Sequence, residues 1–299
     1  MIPAFTRKAS QIFVFLLILF VVPFAQPWQG ADQGGDSLIQ SGISLIRPET
    51  AAAQPAEAVS PFNIGVVLSD PGDIESFEAE IGRHVDTFLW YQSMEQTLDT
   101  DQLTQVAAGG RIIQLSWEAI PKYSPGPVDP SLYRLKNFTR GDHDSEIRRW
   151  ARELRDFGYP VLFRPMCEMN GDWIPWSGIA NGNSPADYIP AWRHIHDIFM
   201  EERAYNVDWL WSPNRDGSTA DAISTFDNYY PGDAYVDYIG LSGYNWGSMY
   251  STATWVSRWQ DFEEVFGYSY DVLASRTSKP IVLSEMATTE LGGGTRPSG

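Results

Sequence analysis

A parallel (β/α)8 barrel is the fold this sequence predicts, and three observations predict it. Short continuous apolar runs recur from residue 62 onward, the texture of strands buried on both faces. Segments with helical spacing lie between several of them, clearest at Asp144 to Phe157 and Ala186 to Glu202. The runs extend over about 240 residues, against ~250 for such a barrel. No Gly-rich phosphate turn follows the first run, which argues against a doubly wound open sheet.

Taken in order, the chain opens with Arg7 and Lys8 ahead of "QIFVFLLILFVVPFA", which ends at Ala25. A basic start and an apolar centre too short for a comfortable span make residues 1–25 an expected signal peptide. Pro23 occupies a position where cleavage wants a small residue, so an uncleaved N-terminal anchor is the rival expectation. Either way the remainder is expected to be exported, secreted or held at the cell surface. Residues 26–60 are rich in Gly, Ala, Gln, Ser and Pro and read as a disordered linker. Its apolar patch is "SLIQSGISLI", Ser37 to Ile46.

Residues 61–299 then read as the barrel. The first run, "FNIGVVLSD" (62–70), precedes the helix-patterned "DIESFEAEIG". "VDTFLWYQS" (85–93), "GRIIQLSWE" (110–118), "PVLFRPMCE" (160–168), "NVDWLWSPN" (206–214), "YVDYIGLSGYN" (235–245) and "KPIVLSEMA" (279–287) complete a set of seven. Past Ala287 stands "TTELGGGTRPSG", so the barrel is expected to be truncated after its seventh strand. An unclosed barrel exposes the edges of its first and last strands.

Composition narrows the chemistry. A net charge of -17 argues against a nucleic-acid or anionic-membrane surface, which needs clustered Lys and Arg. A single cysteine excludes an internal disulfide and a cysteine-rich zinc site. His194 and His196, two apart in a predicted helix, point to different faces and make no metal pair. Neither a metal nor an organic cofactor is expected, nor an obligatory protein partner. Trp 12, Tyr 14 and Phe 15 supply enough rings for a core and a groove together.

In a barrel of this kind the carboxyl ends of the strands converge on one face, where catalysis occurs. Glu168 ends the fourth run and Glu285 the seventh. A carboxylate there costs desolvation unless it is paired or used, although strand-end charges reaching solvent are common. Glycosidic cleavage needs such a pair: one carboxyl protonated to serve the leaving oxygen, the other ionised at the sugar C1. Arg164 shares parity with Glu168, and its guanidinium can hold a neighbouring carboxylate ionised. Tyr244 shares parity with Ser242 on the sixth run, with its hydroxyl available to the nucleophile. Trp173 and Trp176, in the loop after the fourth run, offer indole faces to sugar C–H surfaces, with Asn170 nearby. Trp117, Glu118, Tyr91, Asn245 and Trp246 end other runs and are candidates for the remaining wall. Cys167 has no histidine base at a strand end to activate it, so it reads as a neutral thiol beside the acid.

These residues resemble glycoside hydrolase family 26, which includes the β-mannanases. The resemblance is carried by "RPMxEMNGDWxPW", "GNSPADYIPAWRHIHDIF", "NVDWLWSPN", "YYPGDAYVDYIGLSGYNWG", "FEEVFGYSYD" and "KPIVLSE", from about Phe62 to Glu285. It implies a retaining barrel enzyme with Glu168 as acid/base and Glu285 as nucleophile, and with Trp173 and Tyr244 near the cleaved sugar. The expected substrate is therefore a mannan-type polysaccharide cleaved at β-1,4-mannosidic bonds. A β-1,3-1,4-glucanase, a β-1,3-xylanase or a non-hydrolytic polysaccharide-binding barrel are the alternatives. Three departures from the family pattern stand out: Cys167 where histidine is usual, Ser242 where aspartate is usual, and no eighth strand with its tryptophan.

Overall fold

The computed structural model describes residues 63–122, 126–215, 226–248 and 256–289, and the backbone of 15–19. The predicted linker and its apolar patch lie outside the described residues. Seven parallel strands follow one another in chain order: β2 (Asn63–Val67), β3 (Thr87–Ser93), β4 (Ile112–Glu118), β5 (Val161–Pro165), β6 (Val207–Trp211), β7 (Tyr238–Asn245) and β8 (Ile281–Thr288). Ahead of them β1 (Phe15–Leu19), within the predicted leader, pairs antiparallel with β2, from Phe15 opposite Val67 to Leu19 opposite Asn63. Helices α1 (Ile74–Ile81), α2 (Thr100–Ala108), α3 (Leu135–Arg140), α4 (Asp144–Phe157), α5 (Pro185–Glu201) and α6 (Phe262–Ala274) fill the connections. This is the strand–helix alternation of a (β/α)8 barrel.

The sheet curls on itself. Gln114 on β4 donates its side-chain amide to the carbonyl of Ser284 on β8 at 3.0 Å, although three strands separate them in the sheet. Small polar residues make that closeness possible: Gln114, Ser116, Ser212, Ser242 and Ser284 are all buried on the inner side. Gly240 belongs to the same packing, because a Cβ there would sit 2.6 Å from the Ser212 side chain.

The apolar mass lies on the other side, between strands and helices. Phe163 of β5 meets Trp209 of β6 edge-on at 5.4 Å, and Trp209 meets Trp192 of α5 at 5.6 Å. Helix α4 presents Ile147, Trp150, Ala151 and Leu154, all buried, at the helical spacing that makes one face. Helix α5 begins at Pro185, whose fixed φ suits a first helical turn. Its two histidines diverge as predicted: His194 Nε2 lies 2.7 Å from Asp144 Oδ1, whereas His196 packs on Trp209 and Tyr235.

Trp117 corrects an expectation. It was assigned to the cleft as a strand-end residue, but it is 1 % exposed and packs on Trp150 at 6.4 Å and Phe163 at 6.0 Å. Its parity is that of Ile113 and Leu115, the helix-facing residues of β4, and opposite to Ser116. Trp117→Ala should therefore cost about 3–5 kcal/mol in urea unfolding, far more than truncating a ring exposed in a groove. Gly240→Ala should cost about 1–3 kcal/mol by overfilling the barrel interior, read in the same way.

Candidate active site

The fourth run does not reach Glu168 as a strand. β5 stops at Pro165, and a turn follows in which Met166 and Glu168 take φ of 46° and 57°. Two non-glycine residues in the left-handed region are strained, and such strain persists where surroundings over-determine it. The surroundings do so here. Glu168 N donates to Ser212 O at 2.8 Å, Tyr188 hydroxyl to Met166 O at 3.2 Å, and Trp176 Nε1 to Cys167 O at 2.7 Å. Alternation along a strand is therefore not what aims Glu168; the turn is.

The Glu168 carboxyl is half-buried and held by neutral donors. Asn214 Nδ2 donates to Oε1 and Trp173 Nε1 to Oε2, each at 3.1 Å. Burial first, and then the Glu285 charge, raise its pKa, against the opposing pull of Arg164, Asn214 and Trp173.

Glu285 sits within β8 in a different setting. The Arg164 guanidinium pairs with Oε1 and the Tyr244 hydroxyl donates to Oε2. A shift in register between β7 and β8 at Leu241/Ser242 brings Ser242 opposite Glu285. Arg164 is fully buried, and donates also to Ser116 Oγ at 2.9 Å and Ser242 Oγ at 2.7 Å. Burial and the Glu285 charge push the Tyr244 phenol far up, so it remains a donor. Tyr91, near the end of β3, keeps 41 % of its surface exposed, and its phenol is raised first by desolvation and then by the Glu285 charge. Burial pushes the Cys167 thiol up to about 12, so it stays protonated at neutral pH and is no nucleophile.

The predicted residues sort into three groups. Glu168, Glu285, Tyr244 and Trp173 are brought together, and the Tyr244 ring stacks on Trp246 at 5.1 Å. Trp173 is 49 % exposed and Trp246 37 %, so both keep ring surface for a ligand. Glu118 ends β4 half-buried, with Oε1 taken by Lys122 at 3.0 Å. Asn170 and Trp176, expected to touch substrate, are buried and act on protein groups instead, and Arg164, read as the holder of a neighbouring carboxylate, is buried against Glu285. Asn170 exchanges two 2.8 Å hydrogen bonds with the Asn214 backbone, and Trp176 braces the turn. Polar side chains in a loop after a strand read as ligand contacts in sequence; here the turn consumes their hydrogen-bonding capacity.

Asn214 was missed. It follows β6 by three residues, and the sequence signal for it was a lone amide closing the run "NVDWLWSPN". Beside Tyr91 a cleft of about 670 Å³ opens, lined by residues 90–92 of β3, 95–99 of the connection and 100–101 of α2. Among the described residues no group of His, Cys, Asp and Glu is arranged to hold a metal.

Residues 137–267 match the model of glycosyl hydrolase family 26. Endoglucanase H of Acetivibrio thermocellus is 35% identical over 226 residues, which are 74% of this chain and 23% of that protein. Mannan endo-1,4-beta-mannosidase A and B of Caldalkalibacillus mannanilyticus is 40% identical over 120 residues, 34% of this chain and 21% of that protein. The chain thus spans less than a quarter of the length of either relative. The fold is shared with the GH26 domain of an endo-beta-mannanase/endo-beta-glucanase from Prevotella bryantii, at a TM-score of 0.56 and 18% identity over 76% of each chain. The strained turn with Glu168, its Asn214 clamp and the Ser242–Tyr244 strand all fall inside the matched segment, and residues 137–267 are a segment of glycosyl hydrolase family 26.

Proposed function

We propose that this chain is a retaining endo-β-glycanase with Glu168 as acid/base and Glu285 as nucleophile. One observation carries the reading: the two carboxyls meet at one mouth in opposite electrostatic settings. Glu168 has neutral donors and a raised pKa, and Glu285 has a buried guanidinium. That asymmetry is what an acid and a nucleophile need at the same pH. Glu168 gives its proton to the glycosidic oxygen as Glu285 attacks C1, which frees one chain end and forms a glycosyl ester. A water then yields a proton to Glu168 and its oxygen to C1, releasing Glu285.

The substrate we propose is a mannan-type β-1,4-linked polysaccharide, with Trp173 and the Tyr244–Trp246 stack as platforms for sugar faces. β-Glucan is the second reading, favoured by the match to an endoglucanase over 74% of the chain. The basic, apolar start of the sequence supports export; N-terminal sequencing of the secreted protein decides whether the leader stays, with Ala25 as the expected boundary.

Reducing-end release from mannan, mixed-linkage glucan and xylan tests the activity. Glu168→Gln should lower kcat by about 10²–10⁴-fold, and Glu285→Gln by at least as much. Proton NMR of the first product should show the β-anomer; an α-anomer, or a parent as silent as both variants on every glycan, removes the proposal. Activity should persist above the ordinary glutamate range and fall as pH rises through the raised pKa of Glu168.

The raised pKa of Glu168 has a stability counterpart. Its folded form holds the proton more tightly than the unfolded chain, so stability is fully present below the unfolded value of 4.5 and declines as pH rises through the folded one. Glu168→Gln should accordingly raise Tm at pH 7 relative to the parent and leave it nearly unchanged at pH 4.

A further inference from the structure

The two donors on Glu168 are not alike, and the difference distinguishes its oxygens. Asn214 Nδ2 donates to Oε1 and Trp173 Nε1 to Oε2, each at 3.1 Å. Asn214 is fixed from two sides: its backbone exchanges hydrogen bonds with the buried Asn170 side chain and forms a parallel bridge with Ser242 of β7. Trp173 is held less firmly, with its ring 49 % exposed in the loop beyond the turn. The ring lies over Gly171, where a Cβ would sit 2.4 Å from the indole. Gly171 is not in the left-handed region, so closeness to the ring, rather than backbone strain, is what an alanine there would disturb. A donor on each oxygen suits an ionised carboxylate, because an oxygen that takes a proton becomes a donor itself and a weaker acceptor. Acid catalysis needs one oxygen free to present its proton to the leaving group.

We propose that Trp173 is a positioning residue that caps Glu168 Oε2 in the free protein and leaves it when its ring stacks on a sugar, making Oε2 the oxygen that delivers the proton. Oε1 stays with Asn214 throughout. Once the proton has passed to the glycosidic oxygen, Oε2 is ionised, and the indole N–H returns to it while the glycosyl ester stands. The assignment rests on reading Glu168 as the acid/base. The charged and titratable groups facing Glu168 are Glu285 from β8, Arg164 from β5, Tyr244 from β7 and Cys167 from the turn. Neither test variant alters any of them.

Trp173→Phe keeps a ring and removes the N–H, whereas Gly171→Ala keeps the indole and drives it off Oε2. The pH profile of kcat/KM reports the free protein, and that of the single-turnover rate reports the bound complex. The indole N–H favours the charged form of Glu168, so its loss raises the pKa further. In both variants the high-pH limb of kcat/KM should therefore move up by about half to one pH unit. The single-turnover limb should stay where the parent has it, because the cap is already off in the complex. A kcat/KM limb unmoved in Trp173→Phe overturns the assignment. Two limbs that rise together mean that the indole stays on Oε2 in the complex, which overturns it as well. If Gly171→Ala gives no cooperative melt, Trp173→Phe decides alone.

Carbon-13 NMR of the Glu168 carboxyl, identified by its loss in Glu168→Gln, reads the free protein without turnover. Its titration midpoint should be higher in Trp173→Phe than in the parent. A parent silent on every glycan, with that rise present, removes the proposed activity and leaves the cap standing. An active parent with equal midpoints removes the cap and leaves the activity.

Discussion

A guanidinium out of reach of water is the constraint on which the mouth of this barrel is built. Arg164 is fully buried, and a buried charge is tolerable only with a counter-charge and filled hydrogen-bonding positions. Glu285 provides the first, and Ser116 and Ser242 most of the second; Nε is left without a partner. The dependence runs in both directions. Glu285 sits well inside a strand, where a carboxylate would otherwise be expelled, and the shift of register at Leu241/Ser242 places it where the guanidinium can reach it. Tyr244, two residues along from Ser242, closes the remaining oxygen. Removing any one member strands a charge or a donor in the interior, and such losses are larger than the worth of the pair itself.

The acid side is held by backbone rather than by charge. Met166 and Glu168 in the left-handed region cost of order 1–3 kcal/mol each, and that cost must be met by neighbours that fix the turn from several directions. Tyr188 on α5, Trp176 beyond the turn, and Ser212 and Asn214 after β6 each bind one of its groups. The two-way bond between Asn170 and the Asn214 backbone ties the turn to the end of β6. The Asn214 amide can then reach Glu168 without being free to follow it. The backbone geometry at Glu168 is thus set by contacts to other protein groups around the turn.

What was legible in the sequence follows from which physics is local. Buried strands and amphipathic helices announce themselves by periodicity, and α4 begins and ends at the residues its pattern indicated. Glu168 and Glu285 were legible because a carboxyl after an apolar run is costly unless used. Trp117 was misplaced because nearness to a strand end says nothing of which face a ring takes; its parity with Ile113 and Leu115 does. Arg164 was legible as the holder of a neighbouring carboxylate, and its partner lies 121 residues on. Asn170 and Trp176 were recognised as belonging to the site but not as its scaffold, because their partners lie 44 and 9 residues away and no local pattern names them. Asn214 escaped for the same reason. Positive φ at Glu168 left no sequence trace, because neither Met nor Glu marks the left-handed region as Gly or Asn does.

The charges at the mouth come close to cancelling, and this accounts for what the neighbouring positions hold. Arg164 contributes one positive charge and Glu285 one negative. Glu168 is biased toward its neutral form by burial and by Glu285, and Glu118 is paired with Lys122. A thiol at Cys167, kept protonated by burial, and a hydroxyl at Ser242 add nothing to that balance. An ionisable imidazole at the first position or a carboxylate at the second would. In a low-dielectric interior an extra charge is felt by every partner it faces. What remains is a site in which a single buried guanidinium pairs with Glu285, and burial biases the second carboxyl, Glu168, toward keeping its proton.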